Sequence, residues 1–324
     1  MIRAGSATRA SLVLGVAAAL VAGLLAVPAV AASSGTTSPT PGPTTPTARP
    51  APTVPPADFS VTLTPRSGST IGVAYPITAK FSAPVTDRAV AEHHLHVYVN
   101  GRFSAGAWYW RSSTVAVFRT AAFWPGHAVI EVRMSLAGVE VGHSATRRYV
   151  GGAATTRTHT LRTARALVVH VDGIKDMFYV GVDRKLVKVF KTSLGKPGFE
   201  TRSGIKSVME KYPLRHMTSV AAGITDPRDQ YDLQVKWAVR ITPTGEFVHA
   251  APWATARLGR YNGSHGCTNL STTDAKWFFD NVIPGDPVVT TGTIRPMEYW
   301  NGIGAPYNMP WAQWLAHSAL RGRP

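Results

Sequence analysis

From about residue 58 the chain alternates apolar and polar positions with a period of two, in short runs broken by turn residues. Runs at 59–63, 75–81, 95–99, 115–118 and 128–132 are separated by Gly68, Asn100-Gly101 and Pro125-Gly126. Short strands at this spacing predict an immunoglobulin-like β-sandwich over 58–153. No cysteine pair is available to bridge two sheets, so Trp108, Trp110 and Trp124 are expected to supply core area. His93, His94 and His96 have no carboxylate or thiol to complete a tetrahedral set except the adjoining Glu92, and read as surface histidines, not as a metal site.

The second half stays strand-rich in a different rhythm. Runs at 167–171, 177–182 and 186–190 read as consecutive strands. Residues 211–230 carry Pro213, Gly223 and Asp226-Pro227 and read as a long irregular loop, of the kind that serves as a lid. Strands at 235–241 and 245–249 follow, joined by a Thr-Pro-Thr-Gly turn at 242–245. One main helix is predicted after Ser271 or Thr272, with Asp274 in its first turn and Trp277, Phe278 and Val282 on its apolar face. Pro284-Gly285 ends it, and a last strand runs to 291. A mostly β second domain is therefore expected over 154–295, with a Trp-rich extension, 296–324, packed back upon it.

The amino terminus has a separate logic. Arg3 and Arg9 precede an uncharged apolar stretch, and Ala29-Val30-Ala31 offers a small-x-small cleavage pattern. Residues 1–32 are read as a signal peptide or a membrane anchor, since 12–32 is long enough to span a bilayer. Residues 33–57 hold eight Pro and seven Thr among 25, with Arg49 the only charge, and read as a linker without a core. Both readings place the rest of the chain outside the cytoplasm.

The formal charge is +16, or about +14 without Arg3 and Arg9 (32 basic against 18 acidic residues). The basic residues are scattered singly, without stacking aromatics, which argues against nucleic acid as a partner. Anionic wall polymers or carboxylate-bearing peptides fit an exported basic protein better. The membrane enters only through the N-terminal segment.

The single cysteine changes the picture most. Exported proteins use Cys in disulfides, yet Cys267 has no partner and sits in Ser264-His265-Gly266-Cys267-Thr268-Asn269. A Cys nucleophile needs a thiolate, a base and oxyanion donors. His265 lies two residues away, and His249, ending a strand, can reach Cys267 across the sheet. The predicted helix start is close enough to favour a thiolate, and backbone N–H groups of Gly266 and Cys267 are candidate oxyanion donors. Asn269 can fix the loop or bind substrate amides. A Cys/His pair of this kind predicts activity rising near neutrality. A buried structural Cys with locally satisfied histidines is the alternative on residue type alone.

The run His249-x15-His265-Gly266-Cys267-x-Asn269, with Ser264 before it, resembles the signature of the L,D-transpeptidase (YkuD-type) catalytic domain, in its mycobacterial and actinobacterial branch. Residues 247–270, Trp277-Phe278, Gly285-Asp286 and Pro310-Trp311 extend the resemblance, and 58–153 resembles the immunoglobulin-like domain that precedes it there. The resemblance implies a β-rich catalytic domain that forms 3→3 crosslinks between peptidoglycan stem peptides, through a thioester on Cys267 and with release of D-alanine. It implies His249 as general base, oriented by the Ala250 backbone carbonyl, with His265 and Gly266 shaping the oxyanion region. Ser264, Asn269, Trp253 and Met217 are then expected at the substrate, without metal or organic cofactor, and carbapenems should acylate Cys267. An L,D-carboxypeptidase using the same acyl-enzyme, or a non-catalytic wall-binding protein with a decayed site, are the alternatives. Three departures stand out: Ala250 replaces a usual Ser, the segment 217–223 lacks the usual lid Tyr, and Arg202 stands where Pro is usual.

Overall fold

The computed structural model of the protein describes residues 54–321. The segment read as signal peptide or anchor, and the linker up to residue 53, lie outside the described residues. None of the described helices is long and apolar enough to cross a membrane.

The first domain is a β-sandwich. A sheet of Val61–Thr64, Ile77–Phe81, Val115–Thr120 and Gly106–Trp110 shares one core with a sheet centred on Val129–Ser135. Alternation is the cause: Ile130, Val132 and Met134 are buried, while Arg133 and Ser135 between and after them are exposed. Trp108, Trp110 and Trp124 are all in that core. Each indole N–H is satisfied, Trp110 by the Glu92 carboxylate at 2.7 Å and Trp108 by the Leu95 carbonyl at 3.0 Å.

Two boundaries differ from expectation. Pro56–Phe59 is a strand, paired in parallel with Arg148–Gly151, so the linker ends before residue 57. Thr156–Thr163 pairs along seven residues with Val129–Ser135 and belongs to the sandwich, not to the domain expected from 154. Its sequence, Thr-Arg-Thr-His-Thr-Leu-Arg-Thr, buries only His159, Leu161 and Thr163, too few apolar residues to read as a strand.

The second domain stacks two sheets about one core that includes Val169, Val171, Phe178, Val248, Leu270 and Phe278. One sheet runs in the order Lys185–Lys191, Met177–Val182, Leu167–Asp172, Pro287–Thr291, Gly204–Ser207. The other runs Glu210–Thr218, Asp232–Arg240, Phe247–Ala250, Thr268–Leu270. The helix Thr272–Asn281 is capped by Ser271, whose hydroxyl accepts from the Asp274 N–H at 3.1 Å.

The region expected as a loop from 211 is instead the hairpin Glu210–Thr218 and Asp232–Arg240, and only 219–231 at its tip is irregular. Pro213 is accommodated because pairing skips it, with Trp237 opposite at a φ of 54°. The first arm exposes residues on both faces, which erases the alternation a sequence reading relies on.

The C-terminal extension begins on the second domain and then crosses to the first. Asn308 accepts from the Ile205 N–H at 2.7 Å, whereas the Trp314 indole donates to the Ala107 carbonyl at 2.9 Å. Glu92 accepts from Ser318, Ala319 and Leu320. The domains also meet directly, Gly72 and Ala74 N–H groups donating to Pro284 and Gly285 carbonyls. A Cβ on Gly72 would lie 2.0 Å from the Asp286 nitrogen, so this approach requires glycine.

Candidate active site

Four buried residues, Phe247–Ala250, form a strand paired in parallel with Thr268–Leu270, opposing His249 to Asn269. Cys267 precedes that second strand by one residue. The two elements thus bring His249, Cys267 and Asn269 to one end of the sheet, where they line a cleft of about 740 Å³. Ser264, His265, Gly266, Met217 and Trp253 line it too, while Ala250 lies behind the wall at 1% exposure.

The turn carrying the sulfur is tightly made. Ser264 Oγ accepts from the Gly266 N–H at 3.1 Å and donates to the Cys267 carbonyl at 2.6 Å. Gly266 has a φ of +117°, which a side chain would strain. Thr201, fully buried, donates its hydroxyl to the Gly266 carbonyl and accepts from the Gly195 N–H, each at 2.9 Å. The Gly266 N–H is therefore occupied. The Cys267 N–H, which meets no protein acceptor among the described residues, is the oxyanion donor that remains. Asn269 is 2% exposed, and its Oδ1 is a buried acceptor without a partner among the described residues.

His249 Nδ1 lies 2.9 Å from the Ala250 carbonyl oxygen. A carbonyl only accepts, so Nδ1 carries the proton and Nε2 of the neutral ring keeps its lone pair. Substituting Ala for the usual Ser at 250 leaves this bond unaffected, because it uses the backbone. Burial pushes His249 down to about 4, the Ala250 carbonyl opposing the fall. The Cys267 thiol is half-buried and packs with Val235, Phe247, Tyr212 and Met217. Burial pushes it up to about 12; a Phe247 N–H bond to sulfur opposes this, Glu246 adds to it and Lys206 counters.

These shifts run opposite to the expectation of a thiolate promoted by an imidazolium. Burial thus favours a neutral thiol and a neutral imidazole, and the Cys267 sulfur lies 3.8 Å from the Gly245 carbonyl. The helix does not contribute either. The strand Thr268–Leu270 intervenes, and at about 3.3 Å per residue it carries the helix start beyond the one-turn range of the dipole.

His265 is held as a wedge, edge-on to Phe199 at 4.8 Å between ring centroids and tilted against Tyr231 at 5.0 Å. Its Nε2 lies 3.4 Å from Asp229, which also binds Lys196. Burial, then Lys196, lowers its pKa against the pull of Asp229. The tip 219–231 thereby touches the site through Asp229 and Tyr231. Tyr231, from the returning side of the tip, is an aromatic residue of the cleft that sequence reading did not single out.

A buried ionic network was also missed. Glu246 meets Lys206 Nζ at 2.7 Å and Arg202 at 2.9 Å, and Arg202 reaches Glu298 at 2.7 Å. Lys206 is fully buried. Only one signal was present in the sequence, Arg202 standing out of pattern. Among the described residues no cluster of side chains could hold a metal.

Residues 165–290 match the L,D-transpeptidase catalytic domain, and 33–140 match a bacterial Ig domain. The chain is 34% identical over 240 residues to probable L,D-transpeptidase 3 of Mycobacterium tuberculosis, covering 69% of this chain and 83% of that protein. It is 32% identical over 257 residues to L,D-transpeptidase 2 of the same species, covering 79% of this chain but 61% of that longer relative. A solved structure of the L,D-transpeptidase LdtMt1 in complex with imipenem superposes with a TM-score of 0.59 at 31% identity, over 71% of this chain and 98% of that one. The chain belongs to the L,D-transpeptidase family, with an immunoglobulin-like domain ahead of its catalytic domain.

Proposed function

We propose that this protein is a peptidoglycan L,D-transpeptidase acting outside the cytoplasm, at the cell wall, through a thioester on Cys267. A tetrapeptide stem enters the cleft with the carbonyl of its third residue against the sulfur. Cys267 Sγ attacks that carbon as its proton passes to His249 Nε2. The oxyanion is met by the Cys267 N–H, which Thr201 and Ser264 hold in place through the turn. Collapse breaks the bond to D-alanine, whose amine takes the proton from His249. The side-chain amine of a second stem then attacks the thioester, and His249 accepts its proton and returns it to the departing sulfur as the 3→3 amide forms.

The observation that supports this best is the Nδ1 bond to the Ala250 carbonyl, which leaves Nε2 as a base in the cleft that holds the only sulfhydryl. Burial that keeps both groups neutral avoids an exposed resting thiolate and confines proton transfer to the moment of attack. Asn269 Oδ1 is suited to a substrate N–H. Residues 12–32 would supply any membrane tether, and peptidoglycan would be the partner.

Incubating the protein with disaccharide-tetrapeptide and resolving products by mass spectrometry tests the reading. A crosslinked dimer with one equivalent of D-alanine supports it. D-alanine with tripeptide and no dimer would assign the carboxypeptidase reaction. An unchanged tetrapeptide would leave only the wall-binding reading.

A further inference from the structure

Two neighbouring residues grip both sides of the nucleophile. Thr201 donates its hydroxyl to the Gly266 carbonyl, on the turn that carries Cys267. Arg202, also buried, reaches the other side. Its backbone N–H and one guanidinium N–H donate to the same oxygen of the Glu246 carboxylate, at 3.0 and 2.9 Å. Glu246 stands between Gly245, whose carbonyl lies 3.8 Å from the Cys267 sulfur, and Phe247, which begins the strand of His249 and packs with the cysteine. Its stem also flanks the Gly266 turn, since a Cβ on that glycine would lie 3.9 Å from Glu246 Cγ.

On its outer side Arg202 closes a circuit around the 242–246 turn. Nε donates to Glu298 at 3.0 Å, and Glu298 accepts from the Asn301 amide at 2.8 Å. That amide also donates to the Thr244 hydroxyl, at 2.9 Å, two residues before Glu246. The ladder with Thr268–Leu270 starts only at Val248, so on the cysteine side Gly245 and Glu246 depend on these side-chain bonds for their place. Charge gives the pairing a second purpose. Glu246 opposes negative charge on the sulfur, and Arg202 on one oxygen with Lys206 on the other, at 2.7 Å, neutralise it where water does not screen.

We propose that Arg202 is a positioning residue for acyl transfer: by pinning Glu246 it holds Gly245 and Phe247 against the Cys267 sulfur while Thr201 holds the Gly266 turn, and through Glu298 it ties this arrangement to the C-terminal extension. This rests on the acyl-transfer reading above. Nε and one terminal nitrogen of the guanidinium are spent on two carboxylates. Loss of Arg202 therefore falls on the alignment of sulfur and imidazole, where a small displacement is costly, and not on capture of the stem.

Acylation of Cys267 by a synthetic tetrapeptide stem, followed by intact-protein mass over a range of stem concentrations, tests this in wild type, Arg202→Met, Arg202→Lys and Glu298→Gln. Arg202→Met keeps a long side chain and leaves Lys206 on Glu246, and urea unfolding midpoints check that it folds. It should lower the saturating acylation rate about tenfold and leave the half-saturating concentration within about twofold of wild type. Arg202→Lys restores a cation without the fork and should recover the rate to within about threefold. Glu298→Gln, half-exposed and acting only through Arg202, should cause a smaller loss of the same kind. An unchanged saturating rate in Arg202→Met, a loss confined to the half-saturating concentration, or a loss that Arg202→Lys does not reduce overturns the positioning role and leaves the transpeptidase reading standing. Should Arg202→Met fail to fold, Glu298→Gln decides: a lower saturating rate supports the role, and the wild-type rate overturns it. A wild-type thiol that iodoacetamide alkylates but the stem does not acylate overturns the transpeptidase reading, and the role with it.

Discussion

The two walls of the cleft are built in opposite ways. On one side, Phe247–Ala250 and Thr268–Leu270 are buried throughout, and the turn between them is fixed by Ser264 and Thr201. On the other, the hairpin arm Glu210–Thr218 is largely exposed, and its tip at 219–231 meets the site through Asp229 and Tyr231. Chemistry needs geometry held to fractions of an ångström, which a packed ladder provides. Recognition tolerates movement, and a hairpin with few buried contacts opens at low cost. Substitutions on the buried wall should therefore lower kcat, and substitutions on the hairpin should alter KM.

The largest effect is expected for His249→Gln. It keeps a group of similar size but removes the base, so acylation should fall by about 10³-fold while substrate binding persists. Single-turnover acylation measured by stopped flow would separate the two. A loss confined to KM would move His249 to the recognition side of the comparison.

Next comes Lys206→Met. Glu246 keeps Arg202 but loses its second cation in a dry environment, a change that costs about 3 kcal/mol where a buried pair is broken. Urea unfolding midpoints give the value. A neutral outcome would mean that Glu246 takes up a proton when its partner is gone.

The pH dependence follows from burial. His249 falls to about 4 in the folded protein from an ordinary value near 6.5. Between those values the unfolded chain binds the extra proton, so stability drops as pH falls through this window, by at most about 3 kcal/mol. The acid limb of kcat/KM should likewise lie near 4, not near neutrality. Comparing wild type with His249→Gln at pH 7 and 4.5 checks the first point, because the variant should lack the acid-side loss attributed to this residue.

The smallest effect is expected for Asp229→Asn, which releases the tip from Lys196 and His265 without touching the buried wall. KM should change two- to threefold and kcat little, as suits a partly exposed ion pair worth about 1 kcal/mol or less.

The difference between the walls also explains what was legible in the sequence. The buried wall leaves its mark in residue order: Phe-Val-His-Ala on a strand, then Ser-His-Gly-Cys on a turn. The helix was readable from Ser271 and Asp274 because capping is local chemistry. The hairpin was not, since an arm exposed on both faces shows no alternation and Pro213 mimics a breaker. Thr156–Thr163 was lost for the same reason, being a strand of Thr and Arg. Protonation is not legible in residue order, because adjacency of His and Cys suggests an ion pair, whereas burial is a property of the packed domain. The ion pairs of Glu246 with Lys206 and Arg202 and the Thr201 bond to Gly266 join residues 40 to 65 apart, which no local pattern records.

The most direct measurement is intact-protein mass of wild type and Cys267→Ala after exposure to a carbapenem at pH 7. The account predicts a single covalent adduct on wild type, mapped by peptide sequencing to the sulfur, and none on the alanine variant. An unmodified wild-type protein, or an adduct that persists without the sulfur, would contradict it.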